Sequence, residues 1–237
     1  MEKRDRKIWL EIRKDFEDVY TRKFLQVPKV TKKSKGFKLR GRGIHSVIYT
    51  TDLVVVRNNN ADATMLVYPF TPEPIILRSF VRCAQRPIFV GVGGGATTGK
   101  RIAHYALNAE FIGASAVVVN APITTSDLVR VREYTDLPII ATAFTLEQAR
   151  EKMVAGIDVL NIAAGKDTPD VVQIVRDEMP HVPILASGGR SDESILKTIK
   201  AGANAIVYTA PNMNELMSDL MGQYRKRMSY YTGKDKE

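Results

Sequence analysis

Seven apolar runs of strand character recur along this chain, and the stretches between them carry helical patterning. The runs are MLVYPF (65–70), PIFVGVG (87–93), AVVVNAP (116–122), PIIATAF (138–144), VLNIAAG (159–165), PILASGG (183–189) and AIVYTAP (205–211). They are nearly continuous in apolar residues instead of alternating with polar ones, as strands buried on both faces are in a parallel sheet. Between them lie segments such as TLEQAREKMVAGI (145–157) and SDESILKTIKAGA (191–203). Several of these open on Thr, Ser or Asp, side chains that accept from the free N–H groups at a helix start. Evenly spaced βα units with no second domain evident predict an α/β chain folded as a (β/α)8 TIM barrel. The alternative is an open doubly wound sheet.

An eighth strand has to come from 46–58. IHSVIYT (44–50) and LVVVRNN (53–59) flank the turn-like Thr51-Asp52 and read as a hairpin. LVVVRN is the expected barrel strand, followed by the short link NNADA. Upstream, Ile8, Ile12, Phe16, Val19 and Tyr20 fall near helical spacing, so an amphipathic helix is expected over 8–25. Such a helix serves as a cap on the barrel or as a homo-oligomer contact.

Charge is unevenly distributed. Of 35 Lys/Arg and 26 Asp/Glu, residues 1–43 hold 15 basic against 6 acidic, leaving 20 of each beyond. The net +9 is therefore the charge of an N-terminal extension and not of the barrel. Two parts are expected: a helix with a basic arm over 1–43, and a barrel over 44–237. The densest basic run, KVTKKSKGFKLRGRG (29–43), is a candidate contact for nucleic acid, phosphate-rich ligands or an acidic partner, or a solvated arm. Phe37 is the single aromatic residue inside it, thin support for stacking on single strands. No stretch of about 18 apolar residues is present, so no membrane span is expected. The charged N-terminus is unlike a signal peptide. The lone Cys83 precludes an internal disulfide and reads as a buried apolar residue, so a cytoplasmic protein is expected.

In a barrel, function collects at the C-terminal ends of the strands. Those ends offer Tyr68, the glycine loop 91–100, Asn120, Thr142, Asn161, Lys166, Ser187 to Arg190, and Tyr208 with Thr209. They are polar but mostly uncharged, and no Asp or Glu stands there for acid/base work. His45, His104 and His181 are scattered, so no metal site is expected. Gly188-Gly189 ends a buried run just before a helix start, where exposed N–H groups and the helix dipole favour an anion. Arg190 adds a guanidinium. Lys166 is the candidate amine nucleophile and also reads as a loop lysine beside a helix cap. Asn120 and Asn161 are candidates to orient a substrate carbonyl or hydroxyl.

ASGGR (186–190) is similar to the A-x-G-G-I turn, and KAGANAIV (200–207) to the following strand, of phosphate-binding barrels. These are the ribulose-phosphate-binding barrels, the deoxyribose-phosphate and keto-deoxy-phosphogluconate aldolases, and thiazole synthase. The resemblance implies a phosphate held by the N–H groups of Gly188 and Gly189, near Ser187 and Thr209. No cofactor is expected, though the resemblance admits flavin mononucleotide, since flavin barrels hold phosphate at such turns. The chain departs from the pattern at the next strand end, where Tyr208, Thr209, Ala210 and Pro211 stand in place of a glycine turn.

Gly94, Gly99 and Lys100 match the G-x-x-x-x-G-K spacing of a nucleotide-gripping P-loop. Arg101 follows where Ser or Thr would hold magnesium, and no acidic residue ends the next strands. Gly91, Gly93 and Ala96 imitate a dinucleotide fingerprint that also lacks its acid. Gly93, Gly94 and Gly95 are therefore expected as one wall of a mouth pocket, with Lys100 beside them. Two functions remain open: a barrel enzyme of aldolase, isomerase, synthase or hydrolase type acting on a small phosphorylated or carboxylated metabolite, or a non-catalytic barrel sensing an anionic metabolite.

Overall fold

The computed structural model describes residues 25–232, with side chains to 226. The helix expected over 8–25 lies almost wholly outside the described residues. Contacts divide the chain into a unit spanning 26–210 and a second made of 1–25 with 211–237.

The first unit opens with a 3-10 turn, Lys29–Lys33, and a hairpin of β1 (Phe37–Leu39) and β2 (Arg42–Ile44). Eight parallel strands follow: β3 (Ser46–Tyr49), β4 (Ala63–Leu66), β5 (Ile88–Gly93), β6 (Ala116–Val119), β7 (Ile139–Ala143), β8 (Val159–Ile162), β9 (Ile184–Ser187) and β10 (Ala205–Thr209). They close into a barrel in chain order, with β10 returning to β3. The closing register sets Val207 beside Val47 and Thr209 beside Tyr49. Between strands run α1 (Leu53–Arg57), α2 (Pro74–Cys83), α3 (Lys100–Phe111), α4 (Thr125–Tyr134), α5 (Leu146–Val154), α6 (Thr168–Glu178) and α7 (Asp192–Lys200). In the second unit α8 (Met213–Thr232) opens on a capping box. Asn212 Oδ1 accepts from Glu215 N at 2.9 Å and Glu215 Oε2 from Asn212 N at 3.1 Å.

The first βα unit corrects the expectation for 46–58. IHSVIYT supplies the strand, and LVVVR is not a strand but the short helix α1. The reason is Asp52, whose carboxylate accepts from the N–H groups of Val54 (2.8 Å) and Val55 (3.3 Å). That cap holds three β-favouring valines in a helical turn. Asn58 and Asn59 close it by donating to carbonyls of Val54, Val55 and Val56.

Alternation along the strands sorts side chains into two cores. Val47, Met65, Phe89, Val118, Ile140, Val159, Leu185 and Val207 fill the barrel interior, while Leu66, Val90, Val117, Leu160, Ile184 and Ile206 pack outward under the helices. The interior is packed and not a pore. Its floor is the β1–β2 hairpin, whose Leu39 (6% exposed) and Ile44 (0%) belong to the interior cluster. Full burial of such side chains stabilises by about 1.5–3 kcal/mol each. The basic run 29–43 is thus folded into the barrel unit, and a division at 43/44 cuts through β2.

Candidate functional site

Two residues beyond the apolar interior, the same alternation brings Tyr49, Val67, Gly91, Asn120, Thr142, Asn161, Ser187 and Thr209 to the inward side of the strands' C-terminal ends. This layer is the mouth. Register pairs Thr142 directly with Asn161 across β7 and β8. Asn161 Nδ2 donates to Thr142 Oγ1 at 3.0 Å, whereas its Oδ1 is buried with no partner. Turning the amide over leaves the nitrogen unpartnered instead, so one polar atom of Asn161, a residue only 6% exposed, awaits a partner either way. Asn120 stands at the end of β6, two strands from Asn161 across β7.

Tyr49 donates its hydroxyl to the carbonyl of Val67 at 2.9 Å, and burial pushes its pKa above the usual phenol value. It is a neutral donor tying the ends of β3 and β4 together. Tyr68 accepts from Glu73 N at 2.9 Å, and burial raises its pKa as well. Phe144, at the end of β7, and Phe70, in the loop after β4, leave 45% and 75% of their surfaces exposed on this side of the barrel. Sequence reasoning passed over both; aromatic residues at strand ends were the available signal.

The turn after β9 carries the anion-binding features. Gly189 has φ +76, and an added Cβ would lie 2.5 Å from Ser194 Oγ. A Cβ on Gly188 would lie 2.6 Å from Ile206 Cγ2. Gly189 is therefore called for by the turn's left-handed backbone, and Gly188 by packing against the side chains of Ile206 and Ile195. Ser194 Oγ donates to Gly188 O at 2.9 Å, and Ser191 caps α7 by accepting from Ser194 N. The Gly188 amide, expected at the anion, instead donates to Val207 O at 3.4 Å across the barrel wall. Among the described residues, the N–H groups of Gly189 and Arg190 have no acceptor, and the exposed Arg190 has no carboxylate partner. Ser187 is the inward residue leading into this turn, and Thr209 is exposed at the end of the neighbouring β10.

Lys166 lies on a short 3-10 turn, Gly165–Asp167, after β8, and is exposed. It is not carried on a strand pointing into the barrel. Thr168, the first residue of α6, keeps a buried Oγ1 without a partner.

The glycine loop is knitted to itself and to β6. Asn120 N donates to Gly93 O and Gly94 N to Thr97 O, both at 2.9 Å. A Cβ on Gly94 would meet Asn120 N at 2.8 Å and O at 2.9 Å. The amide of Gly99, at the start of α3, already donates to the Asp127 carboxylate at 3.1 Å. Close packing of chain against chain explains the glycines, and Lys100 points to an exposed surface.

One buried cation went unnoticed in the sequence. Lys152, on α5 and 2% exposed, donates to the carbonyl of Ala121 at 3.1 Å, directly behind Asn120. Burial lowers its pKa. Its helix reads as an ordinary amphipathic one, and nothing in the local pattern marks this lysine as inward. Among the described residues, no group of three or more His, Cys, Asp or Glu is placed to hold a metal ion, and no helix is long and apolar enough to cross a membrane.

No protein-family model matches this chain, and no curated protein matches it in sequence. Solved structures do match in fold. A Burkholderia cenocepacia J2315 protein assigned as a phosphonomutase is 15% identical, with a TM-score of 0.62 over 76% of this chain and 93% of that one. Phosphoenolpyruvate phosphomutase from Streptomyces platensis subsp. rosaceus is 14% identical, with a TM-score of 0.58 over 81% and 84%. Thiamine phosphate pyrophosphorylase from Pyrococcus furiosus is 18% identical, with a TM-score of 0.56 over 78% and 95%. At these identities the likeness is one of fold: all share the (β/α)8 barrel.

Proposed function

We propose that this barrel is an enzyme acting on a small phosphorylated or carboxylated metabolite, of aldolase, isomerase, synthase or hydrolase type. The observation that carries the reading is the buried carboxamide of Asn161 at the mouth, one of whose polar atoms has no partner. An orphaned buried polar atom costs about 1–3 kcal/mol, a cost that a ligand hydroxyl or amine removes. The free N–H groups of Gly189 and Arg190 with the Arg190 guanidinium are the anchor for the ligand's anion. Asn120 and Asn161 orient the reacting carbonyl or hydroxyl, and Gly93 to Gly95 bound one side of the pocket. Fold likeness to proteins named for phosphoenolpyruvate and thiamine phosphate supports the reading.

Thermal-shift screening of three- to six-carbon phosphorylated sugars and keto acids tests it. At least one is expected to raise the melting temperature, with the shift lost in Arg190→Gln and in Asn161→Leu. Asn161→Leu on its own is expected to change the melting temperature little, because losing the bond to Thr142 Oγ1 is offset by removing a buried oxygen that has no partner. A screen without hits, or a hit indifferent to both substitutions, rejects the assignment. Lys166 is the candidate amine for carbonyl chemistry. A substrate carbon trapped on it by borohydride makes the reaction aldolase-like, and an unchanged mass across aldehydes and keto acids removes that version. A flavin's phosphate would use the same turn, and visible absorbance of the purified protein tests for it.

A second reading has its own support: none of the inward residues at the mouth is Asp, Glu or His. A non-catalytic barrel sensing an anionic metabolite needs no such groups. It is favoured if a hit binds but is recovered unchanged.

A further inference from the structure

Three arginines meet at the barrel's other end. Arg40, Arg42 and Arg86 line a cavity of about 380 Å³, walled by Leu39, Val81 and Pro87. It opens between the β1–β2 turn, the loop from α2 to β5 and the loop from α3 to β6, at the N-terminal ends of the strands. No carboxylate lines it. Among the described residues, none of the three guanidiniums has an ion-pair or hydrogen-bond partner.

The backbone at Arg40 carries a separate argument. Arg40 and Gly41 form the two-residue turn of the hairpin, with φ +47 and +81. A turn with two positive φ values favours Asn-Gly, and a long side chain in the left-handed region costs conformational energy. Folding alone selects against arginine at this position. Carbonyl ends of α2 and α3 face the same side and attract cations, but that attraction does not account for an arginine placed on a strained turn.

We propose that this pocket binds a small molecule bearing two or more phosphate groups on an apolar or aromatic body, at a site separate from the mouth. Guanidiniums pair with phosphate oxygens two at a time, and three suit a diphosphate. The volume is that of a small-ligand cleft. Nucleic acid is the weaker occupant. The nearby aromatic residue, Phe37, packs against the barrel interior, so it offers no face for a base.

Calorimetric titration of the full chain with ADP at low salt, set against the triple variant Arg40→Asn/Arg42→Gln/Arg86→Gln, tests this. Saturable binding of one ADP is expected, weakened roughly tenfold or more in the triple variant. Arg190→Gln should leave it unchanged, which separates this site from the anion turn at the mouth. Arg40→Asn suits the turn better than arginine, so the melting temperature should hold or rise while affinity falls. Absence of saturable ADP binding overturns the proposal, as does binding equal in parent and triple variant. A single-stranded RNA of about ten nucleotides that binds these arginines more tightly than ADP overturns it in favour of nucleic acid.

Discussion

Asn161 and Lys152 are both polar groups carried into the barrel wall, and they differ in what satisfies them. Lys152 has found the Ala121 carbonyl, and its burial lowers its pKa below the usual 10.5. Between the lowered folded value and 10.5 the unfolded chain binds more protons than the folded one, so this lysine makes stability rise with pH there. The tyrosines act in the opposite sense, because Tyr49 and Tyr68 hold their protons longer when folded. Comparison of parent with Lys152→Met isolates the lysine. Urea midpoints measured from about pH 7 to about pH 10 should climb less, or fall more, in the variant than in the parent. Parallel curves for the two proteins would show that the lysine carries no such penalty. Asn161 is half satisfied: its amide nitrogen donates to Thr142 Oγ1, and its Oδ1 has no partner.

At the scale of elements, β5 and its loop show how local chain geometry builds the mouth. The register of β5 against β6 shifts between Gly91 and Gly93. This irregularity puts one extra residue into the strand and turns the loop back over the end of β6. Gly94, at φ +95, then lies against the backbone of Asn120. Gly94→Ala should lower stability by about 2–4 kcal/mol, since a methyl group there meets backbone and not a side chain that could move. Chemical denaturation gives the value directly. A loss below about 1 kcal/mol would mean that the loop relaxes easily and does not fix Asn120. The P-loop spacing of Gly94, Gly99 and Lys100 is explained by this packing, with the amide of Gly99 taken by Asp127.

At the scale of the whole barrel, closure takes two steps: β10 pairs with β3 around the wall, and the β1–β2 hairpin seals the floor. Asn204 ties floor to wall. Its carbonyl oxygen accepts from Gly36 N at 2.8 Å, and its side chain accepts from Ile184 N at 2.9 Å. The double variant Leu39→Ala/Ile44→Ala should cost about 4–8 kcal/mol, a large part of what a domain has to spare. Its urea transition is expected to move far below the parent's or to lose cooperativity. A shift of under about 1 kcal/mol would show the hairpin to be dispensable.

Apolar runs alternating with capped helical segments determined a parallel sheet covered by helices, because such strands and amphipathic helices have few ways to bury their apolar faces together, and the pairing of β10 with β3 decided its closure. The same pattern exposed Asn120 and the Gly188-Gly189 turn, just past apolar strands, and Asn161, a polar residue within one. LVVVR became a helix through a local signal, the carboxylate of Asp52 capping two amides two and three residues on, which the β propensity of its valines masks. Two things were decided only by tertiary structure. The basic run 29–43 folded into the barrel unit because Leu39 and Ile44 fill the interior, a destination set by the barrel and not by neighbours in sequence. Asn161 found Thr142, and Lys152 found Ala121, 31 residues away, through strand register and helix packing. A linear pattern records which faces are apolar, whereas the partner of each polar group depends on where the closed wall places distant residues.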